Sequence, residues 1–438
     1  MRTINIASAL TTLLLLLFAG MSNAQEVLTL DRAIALALQH NHGIQIAAND
    51  VEAAKNSNNP GNAGLLPTVS ASGSYNYSNN NTEIEFIGQE PQTINGAAST
   101  TLAGSLGLNY TIFNGRGTYF NFQRLQVAEN LTEASSRLTV ENTLIQVLNA
   151  YYTVAQAQDN LQTAQQSLAI SSERLNRARK AAEFGTQSQL QVLNAQVDLN
   201  TDSIALVNGE LNVNTARRNL NFLLGNKAPE AFSVANEVAF ESGLTEAALL
   251  NEAKNNNASL LIAMENLASS QLGVKSSQAN LYPVIGLNAA YGYTQNQNEA
   301  SVVLSNTSVG FSGGLSLNWS LFNGNQRKTA IQNVKIALES SELQREQASL
   351  QVERDILNAW NTYQTRLAVL NAQETAVITA QRNFERTEQQ FKLGQVTGTQ
   401  FREAQLNLNR TQNQRSAARY QAKLSELECL RIAGRLSR

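Results

Sequence analysis

Four stretches of the chain alternate between apolar and small polar residues with a period of two. From 68 to 78, Val69, Ala71, Tyr75 and Tyr77 fall on one face, and Ser70, Ser72, Ser74 and Asn76 on the other. From 101 to 113, Leu102, Leu106, Leu108, Tyr110 and Ile112 oppose Thr101, Ser105, Asn109 and Thr111. Ile285, Leu287, Ala289, Tyr291 and Tyr293 oppose Asn288 and Thr294, while Val309, Phe311, Leu315, Leu317, Trp319 and Leu321 oppose Ser308, Ser312, Ser316, Asn318 and Ser320. Successive strand residues point to opposite faces, so this pattern predicts strands at about 68–78, 101–113, 284–294 and 307–322, each with one apolar face. Tyr75, Tyr77, Tyr291 and Tyr293 are expected near one set of strand ends, and Tyr110, Phe113, Trp319 and Phe322 near the other. Two aromatic girdles are what a bilayer with two interfaces selects.

The remaining length follows a different period. Val140, Val147, Val154, Leu161, Leu168, Leu175 and Ala182 recur every seven residues, and Ala150, Ala157, Ala164, Ser171 and Ala178 recur three positions on. Ile356, Tyr363, Leu370, Val377, Phe384 and Phe391 hold the same register later in the chain. That is a coiled-coil seam with large and small positions. All five prolines lie outside the tracts 118–224 and 325–433, where the glycines are Gly185, Gly209, Gly394 and Gly398. Each tract therefore reads as a helical hairpin, about 116–224 and 325–434, turning at Gly185 and Gly394. An ordinary four-helix bundle would show the same seam. Length favours a tube or rod, because 117–185 makes about 100 Å of helix at about 1.5 Å per residue. Residues 187–224 return about 57 Å, and an upstream helix at about 42–64 adds roughly 34 Å. A shorter helix is expected at about 29–40.

The two patterns occur twice. Leu108-Asn-Tyr-Thr-Ile-Phe-Asn-Gly115 recurs as Leu317-Asn-Trp-Ser-Leu-Phe-Asn-Gly324, an offset of 209 that also relates Asn149-Ala150-Tyr151 to Asn358-Ala359-Trp360 and Gly185 to Gly394. Leu66-Pro67 matches Tyr282-Pro283 at an offset of 216, so the first copy carries the longer loop between Pro67 and Leu108. A fixed period marks repeated structural units. The expected division is a leader at 1–24, a first repeat at 25–225, a link at 226–242 that packs around the equator of a helical tunnel, and a second repeat at 243–438.

Arg2 precedes an apolar run from Ile6 to Met21, with leucines at every position from Leu13 to Leu17, and Ser22-Asn23-Ala24 follows as a small-x-small site. This reads as a cleaved secretory signal peptide; the run is short for a membrane anchor. The exported chain is then soluble, secreted or a β-barrel. The alternating strands also fit a soluble two-layer sheet, but export and uncharged polar faces favour the barrel. A sheet in lipid must close, and four strands cannot. Several chains must contribute: two copies would give about 8 strands and three about 12.

Composition narrows the function. Only 15% of residues are charged and the net charge is −2, which argues against nucleic acid as a partner. One cysteine, Cys429, and two histidines, His40 and His42, leave no disulfide framework and no Cys/His zinc cage. No catalytic, cofactor-binding or metal-binding residues are expected. Gly310-Phe311-Ser312-Gly313-Gly314 fits a hydrolase elbow pattern, but that elbow needs a strand-to-helix turn at the serine and the alternation runs on through it.

Signal peptide, duplicated helix–strand–strand–helix–helix units and a glycine turn at each hairpin resemble the TolC family of outer-membrane efflux proteins. The Phe-Asn-Gly corners (Phe113 to Gly115, Phe322 to Gly324) and the turns Phe184-Gly185-Thr186 and Leu393-Gly394-Gln395 carry the resemblance. It implies a mainly α protein with a membrane β-barrel: a homotrimer with a 12-stranded barrel in outer-membrane lipid and a long periplasmic α-helical barrel. It implies an exit duct for an inner-membrane pump of RND or ABC type, docked through a periplasmic adaptor. The tips Phe184, Gly185, Thr186, Leu393, Gly394 and Gln395 would meet the adaptor. Acidic residues six and nine positions past the second glycine often form the family's closed mouth. Here those positions are Gln400 and Glu403, with Gln191 and Asn194 as first-copy counterparts, so one carboxylate per chain remains. Glu403 would give a weaker cation-selective constriction, or stand as a solvated helix residue. The same duct could serve type I protein secretion, and a periplasmic coiled coil without a pore is the reading from a different class.

Overall fold

The computed structural model describes residues 26–436 except 86 and 89. The expected signal peptide at 1–24 lies outside the described residues. Two compact units are present: one holds the chain up to Ala48 together with Arg137–Asn257 and Gln351 onward, the other holds Asn49–Ser136 and Ala258–Leu350. Each unit draws on both copies of the repeat.

The second unit is built on one sheet. Strands β2 (Thr68–Ile84), β3 (Gln92–Phe113), β5 (Val284–Asn298) and β6 (Ser305–Asn318) form an antiparallel sheet in the order β2-β3-β5-β6. Register brings the apolar faces onto one side: Ala71 lies opposite Leu106, Leu106 opposite Tyr291, and Tyr291 opposite Phe311. The other side carries Ser72, Ser105 and Gly292 in one row, with Ser72 and Ser105 hydroxyls 2.9 Å apart. A slip of one residue would turn one strand's apolar side chains onto the polar face, so the alternation itself specifies the pairing.

Strand lengths depart from the sequence expectation. β2 and β3 extend to Ile84 and back to Gln92, past the predicted ends at 78 and 101. Beyond Ser78 the chain reads Asn79-Asn80-Asn81-Thr82, which gives no alternation, but backbone pairing continues. Tyr75 and Tyr77 consequently sit in the body of β2 and not at its end. β5 runs on to Asn298, and β6 spans Ser305–Asn318, not 307–322. The chain leaves the sheet at Trp319, whose indole N–H donates to the Leu281 carbonyl at 3.1 Å.

Each strand pair leads into a helix through a corner. Gly115 and Arg116 (φ 65° and 70°), and Gly324 and Asn325 (φ 64° and 66°), are consecutive left-handed residues. Asn114 and Asn323 then accept from the backbone N–H groups of Thr118 and Arg327, satisfying a donor of the first helical turn. This unit also holds α6 (Ala258–Ala279) and, from Asn49 onward, α2 (His42–Ser57), which ends earlier than the expected 64. Pro60 cannot donate to a helix, and the Asn59 side chain takes the Asn62 N–H into a turn.

The other unit is helical. Helices α3 (Gly117–Glu183) and α4 (Gln189–Leu223) form the first hairpin, and α7 (Gln326–Lys392) and α8 (Gly398–Ile432) the second; α3 and α7 enter from the sheet unit. The seven-residue seam carries part of the burial, and in α3 Leu144, Leu148, Tyr151 and Tyr152 are buried beside it. Val147, Val154 and Leu175 are buried in α3, and Ile356, Tyr363, Leu370 and Phe384 in α7. Helices α1 (Leu30–His40) and α5 (Glu246–Asn256) start on the N-caps Thr29 and Thr245 and end at Asn41 and Asn257, whose side-chain amides donate to the Leu223 and Ile432 carbonyls at 2.8 and 2.9 Å.

Within the inter-repeat stretch, β4 (Phe232–Val234) pairs in parallel with β1 (Glu26–Leu28). Phe232 is wholly buried beside Val147, Leu148 and Tyr151 in the main helical core. The Tyr151 hydroxyl donates to the Leu28 carbonyl at 3.0 Å and accepts from the Ala235 N–H at 3.1 Å, which ties α3 to this small sheet. Burial raises the Tyr151 phenol above its ordinary range. The single cysteine, Cys429, is buried in α8.

Candidate channel-tip site

The hairpin turns are identical in construction. Gly185 and Gly394 both have φ 73°, with open space where a Cβ would stand. Gly185 N–H donates to Ala182 and Thr186 N–H to Ala181; Gly394 N–H donates to Phe391 and Gln395 N–H to Gln390. That is a Schellman close at each helix end, and the left-handed residue it needs is the reason for glycine. Phe184 and Leu393, just before the glycines, are 82% and 73% exposed. The Thr186 hydroxyl is taken up locally, donating to the Ala181 carbonyl at 2.8 Å.

The four positions read as a constriction lie on exposed faces of α4 and α8. Gln191, Asn194, Gln400 and Glu403 are all exposed, while Val192, Ala195, Phe401 and Ala404 turn inward. Gln400 has a second task that the sequence reading missed. Its side chain accepts from the Thr397 N–H at 2.9 Å and its own N–H donates to Thr397 Oγ1 at 3.3 Å, a capping box that opens α8. The signal was present as Thr397-Gly-Thr-Gln400.

Behind that face is a buried ionic network. Arg402 makes a two-pronged contact to Asp202, Nη1 to Oδ2 at 2.7 Å and Nη2 to Oδ1 at 2.8 Å, with 10% and 7% of the two side chains exposed. Arg402 also reaches Gln405 at 3.1 Å and Asp198 at 3.5 Å. Ser171 donates to Asp202, and Arg174 pairs with Asp198. Gln405 and Asn409 both donate to Ser167 Oγ. Residues from α3, α4 and α8 thus meet in one cluster that joins the two hairpins.

Burial opposes the charge on Asp202, but hydrogen bonds from Arg402 and Ser171 and the guanidinium charge outweigh it and hold the carboxyl below its ordinary range. Burial, and then the neighbouring Arg402 charge, lower Arg174. A cleft of about 520 Å³ opens beside this cluster, lined by Gln191, Asn194, Thr399 and Arg402 among others. Its walls present amides and hydroxyls, the guanidinium groups of Arg174 and Arg402, and the Asp198 carboxylate. Among the described residues, no group of three His, Cys, Asp or Glu could hold a metal ion, and no helix is long and apolar enough to cross a membrane.

The model of the family described as "Outer membrane efflux protein" matches residues 33–226 and again 249–435. "Outer membrane protein TolC" of Salmonella enteritidis is 23% identical over 429 residues, covering 96% of this chain and 84% of that protein. "Outer membrane efflux protein BepC" of Brucella suis is 22% identical over 338 residues, covering 77% and 73%. Among solved structures, the Campylobacter jejuni CmeC outer membrane channel superposes with a TM-score of 0.76 at 14% identity, covering 93% of this chain and 86% of that one.

Proposed function

The chain belongs to the outer membrane efflux protein family, an exit duct in the outer membrane with its helices in the periplasm, and from that premise we propose that three copies close one 12-stranded barrel and form a passive conduit for small molecules. The observation that carries this reading is the sheet. One face is apolar and exposed, the other uncharged and polar, and both outer strands lack a neighbour among the described residues. In lipid those open edges would leave backbone groups unpaired, and about eight strands are the least that close.

In this reading the repeats are 25–225 and 243–438, joined by an equatorial link at 226–242. A periplasmic adaptor meets the exposed tips Phe184, Gly185, Thr186, Leu393, Gly394 and Gln395. An inner-membrane pump, of RND or ABC type, supplies the driving force. Gln191, Asn194, Gln400 and Glu403 face the mouth, with Glu403 the one carboxylate. The chain does no covalent chemistry. The test is single-channel conductance of the purified protein in planar bilayers, beside its oligomer mass. A trimer that conducts is the expected result; a monomeric, water-soluble protein that never conducts would overturn it.

A further inference from the structure

A second polar cluster lies in the helical unit, outside the Arg402 network. Asp159 Oδ2, on α3, accepts from Arg419 Nη2 of α8 at 2.9 Å and from the Tyr420 hydroxyl at 3.0 Å, and Ser416 donates to the same oxygen. Asp159 Oδ1 receives the Asn236 amide of the inter-repeat stretch at 3.4 Å. These bonds pin the two hairpins to each other.

Beside the pin is a cavity of about 220 Å³, walled by α3, α7, α8 and the inter-repeat stretch, and Val377 is the one apolar residue lining it. Three buried polar atoms without a partner among the described residues belong to its lining: Arg415 Nε, Arg419 Nε and Asn413 Oδ1. The Arg415 side chain makes no hydrogen bond and no ion pair with any described residue, so the Asp159–Arg419 pin does not account for it. Leaving a buried donor or acceptor unmet costs about 1–3 kcal/mol. The helical seam does not require that polarity. At the offset of 209, Asp159, Thr163, Arg415 and Ser416 correspond to Ala368, Ala372, Leu206 and Val207, so the other copy builds the same helix positions from apolar residues.

We propose that this cavity binds a small oxyanion that still carries a proton, with hydrogenphosphate as the type. Two guanidinium groups, Arg415 and Arg419, face one carboxylate, Asp159, which leaves positive charge in excess. Each Nε has a proton to donate to an oxygen of the guest. A guanidinium suits phosphate and carboxylate oxygens, because its N–H groups form a planar fork and its charge is permanent. Asn413 Oδ1 and Asp159 Oδ1 are acceptors. A fully deprotonated anion offers them nothing and is repelled by the carboxylate. A guest with both bare oxygens and a hydroxyl serves the donors and the acceptors together. The site does not depend on closure of the pore.

Isothermal titration calorimetry of the purified protein tests it, with sodium phosphate and sodium sulfate at neutral pH and matched ionic strength. Phosphate keeps a proton under those conditions and sulfate does not. Phosphate should bind with a Kd of about 1 mM or tighter, and sulfate about tenfold more weakly. Arg415→Gln leaves the Asp159–Arg419 pin in place and should weaken phosphate about tenfold or more, the loss of one charge-assisted hydrogen bond. Should that variant fail to accumulate, the wild-type chain gives the same answer: phosphate, and not sulfate, should slow the modification of Arg415 by phenylglyoxal, read by peptide mass spectrometry. Absence of phosphate binding, or wild-type affinity in Arg415→Gln, would overturn the site. Equal binding of the two anions would overturn its demand for a proton.

Discussion

The two helical hairpins share one skeleton and differ in what fills it. Near the first turn, Leu175, Ala178, Val192 and Ala195 form the core. Near the second, Phe384, Phe401, Ala404 and Leu408 do, with Phe391 and the first hairpin's Ile170 against them. At the offset of 209, Leu175 becomes Phe384, Ala182 becomes Phe391 and Val192 becomes Phe401. The rings of Phe391 and Phe401 stack with centroids 4.8 Å apart. The helix starts differ too: Thr397 closes a capping box, whereas its counterpart Ser188 makes no side-chain cap bond. The second hairpin also brings the cation of the buried network, Arg402, where the first has Leu193. Identical turns thus carry unequal hairpins, one lightly packed and one aromatic, capped and pinned through its arginine to its neighbour.

The largest expected effect is on that pin. Arg402→Met leaves Asp202 buried without its cation, which should cost about 3–5 kcal/mol in denaturant unfolding followed by far-ultraviolet circular dichroism. Adding Asp202→Asn should recover a large part; full additivity of the two losses would break the idea of a single coupled unit. Next comes the packing contrast at one duplicated position. Phe401→Ala should cost about 3 kcal/mol and Val192→Ala about 1.5 kcal/mol by the same unfolding measurement. Equal costs would erase the distinction between aromatic and aliphatic cores. The smallest effect is at the caps: Thr397→Ala should lose about 1 kcal/mol, while Ser188→Ala should lose little. Amide hydrogen exchange in the first turns of α8 and α4 reads both.

Periodicity made much of this fold legible. The alternating segments became strands, the glycines became turns, and seam positions such as Ile356 and Leu370 became core. What the chain order hid is the ionic network, because Arg402 and Asp202 lie 200 residues apart and on different helices. Its trace is a difference between copies: Arg402, Asp202, Asp198 and Arg174 correspond to Leu193, Thr411, Asn407 and Asn383. Charge that appears in only one of two duplicated seams points to a contact that one copy cannot make with itself. The strand ends were misjudged for the opposite reason. Asn79 to Thr82 pair through their backbone, which leaves no mark on side-chain alternation.

Cys429, enclosed in α8, has a practical corollary. Burial, followed by the nearby Glu428 and Glu426 charges, pushes its thiol up to about 12, so hardly any thiolate exists at neutral pH. The wild-type chain is therefore nearly silent to maleimides and thiosulfonates. Spin labels and fluorophores placed on introduced cysteines at either hairpin tip will report from one address, with no need to remove the native residue first.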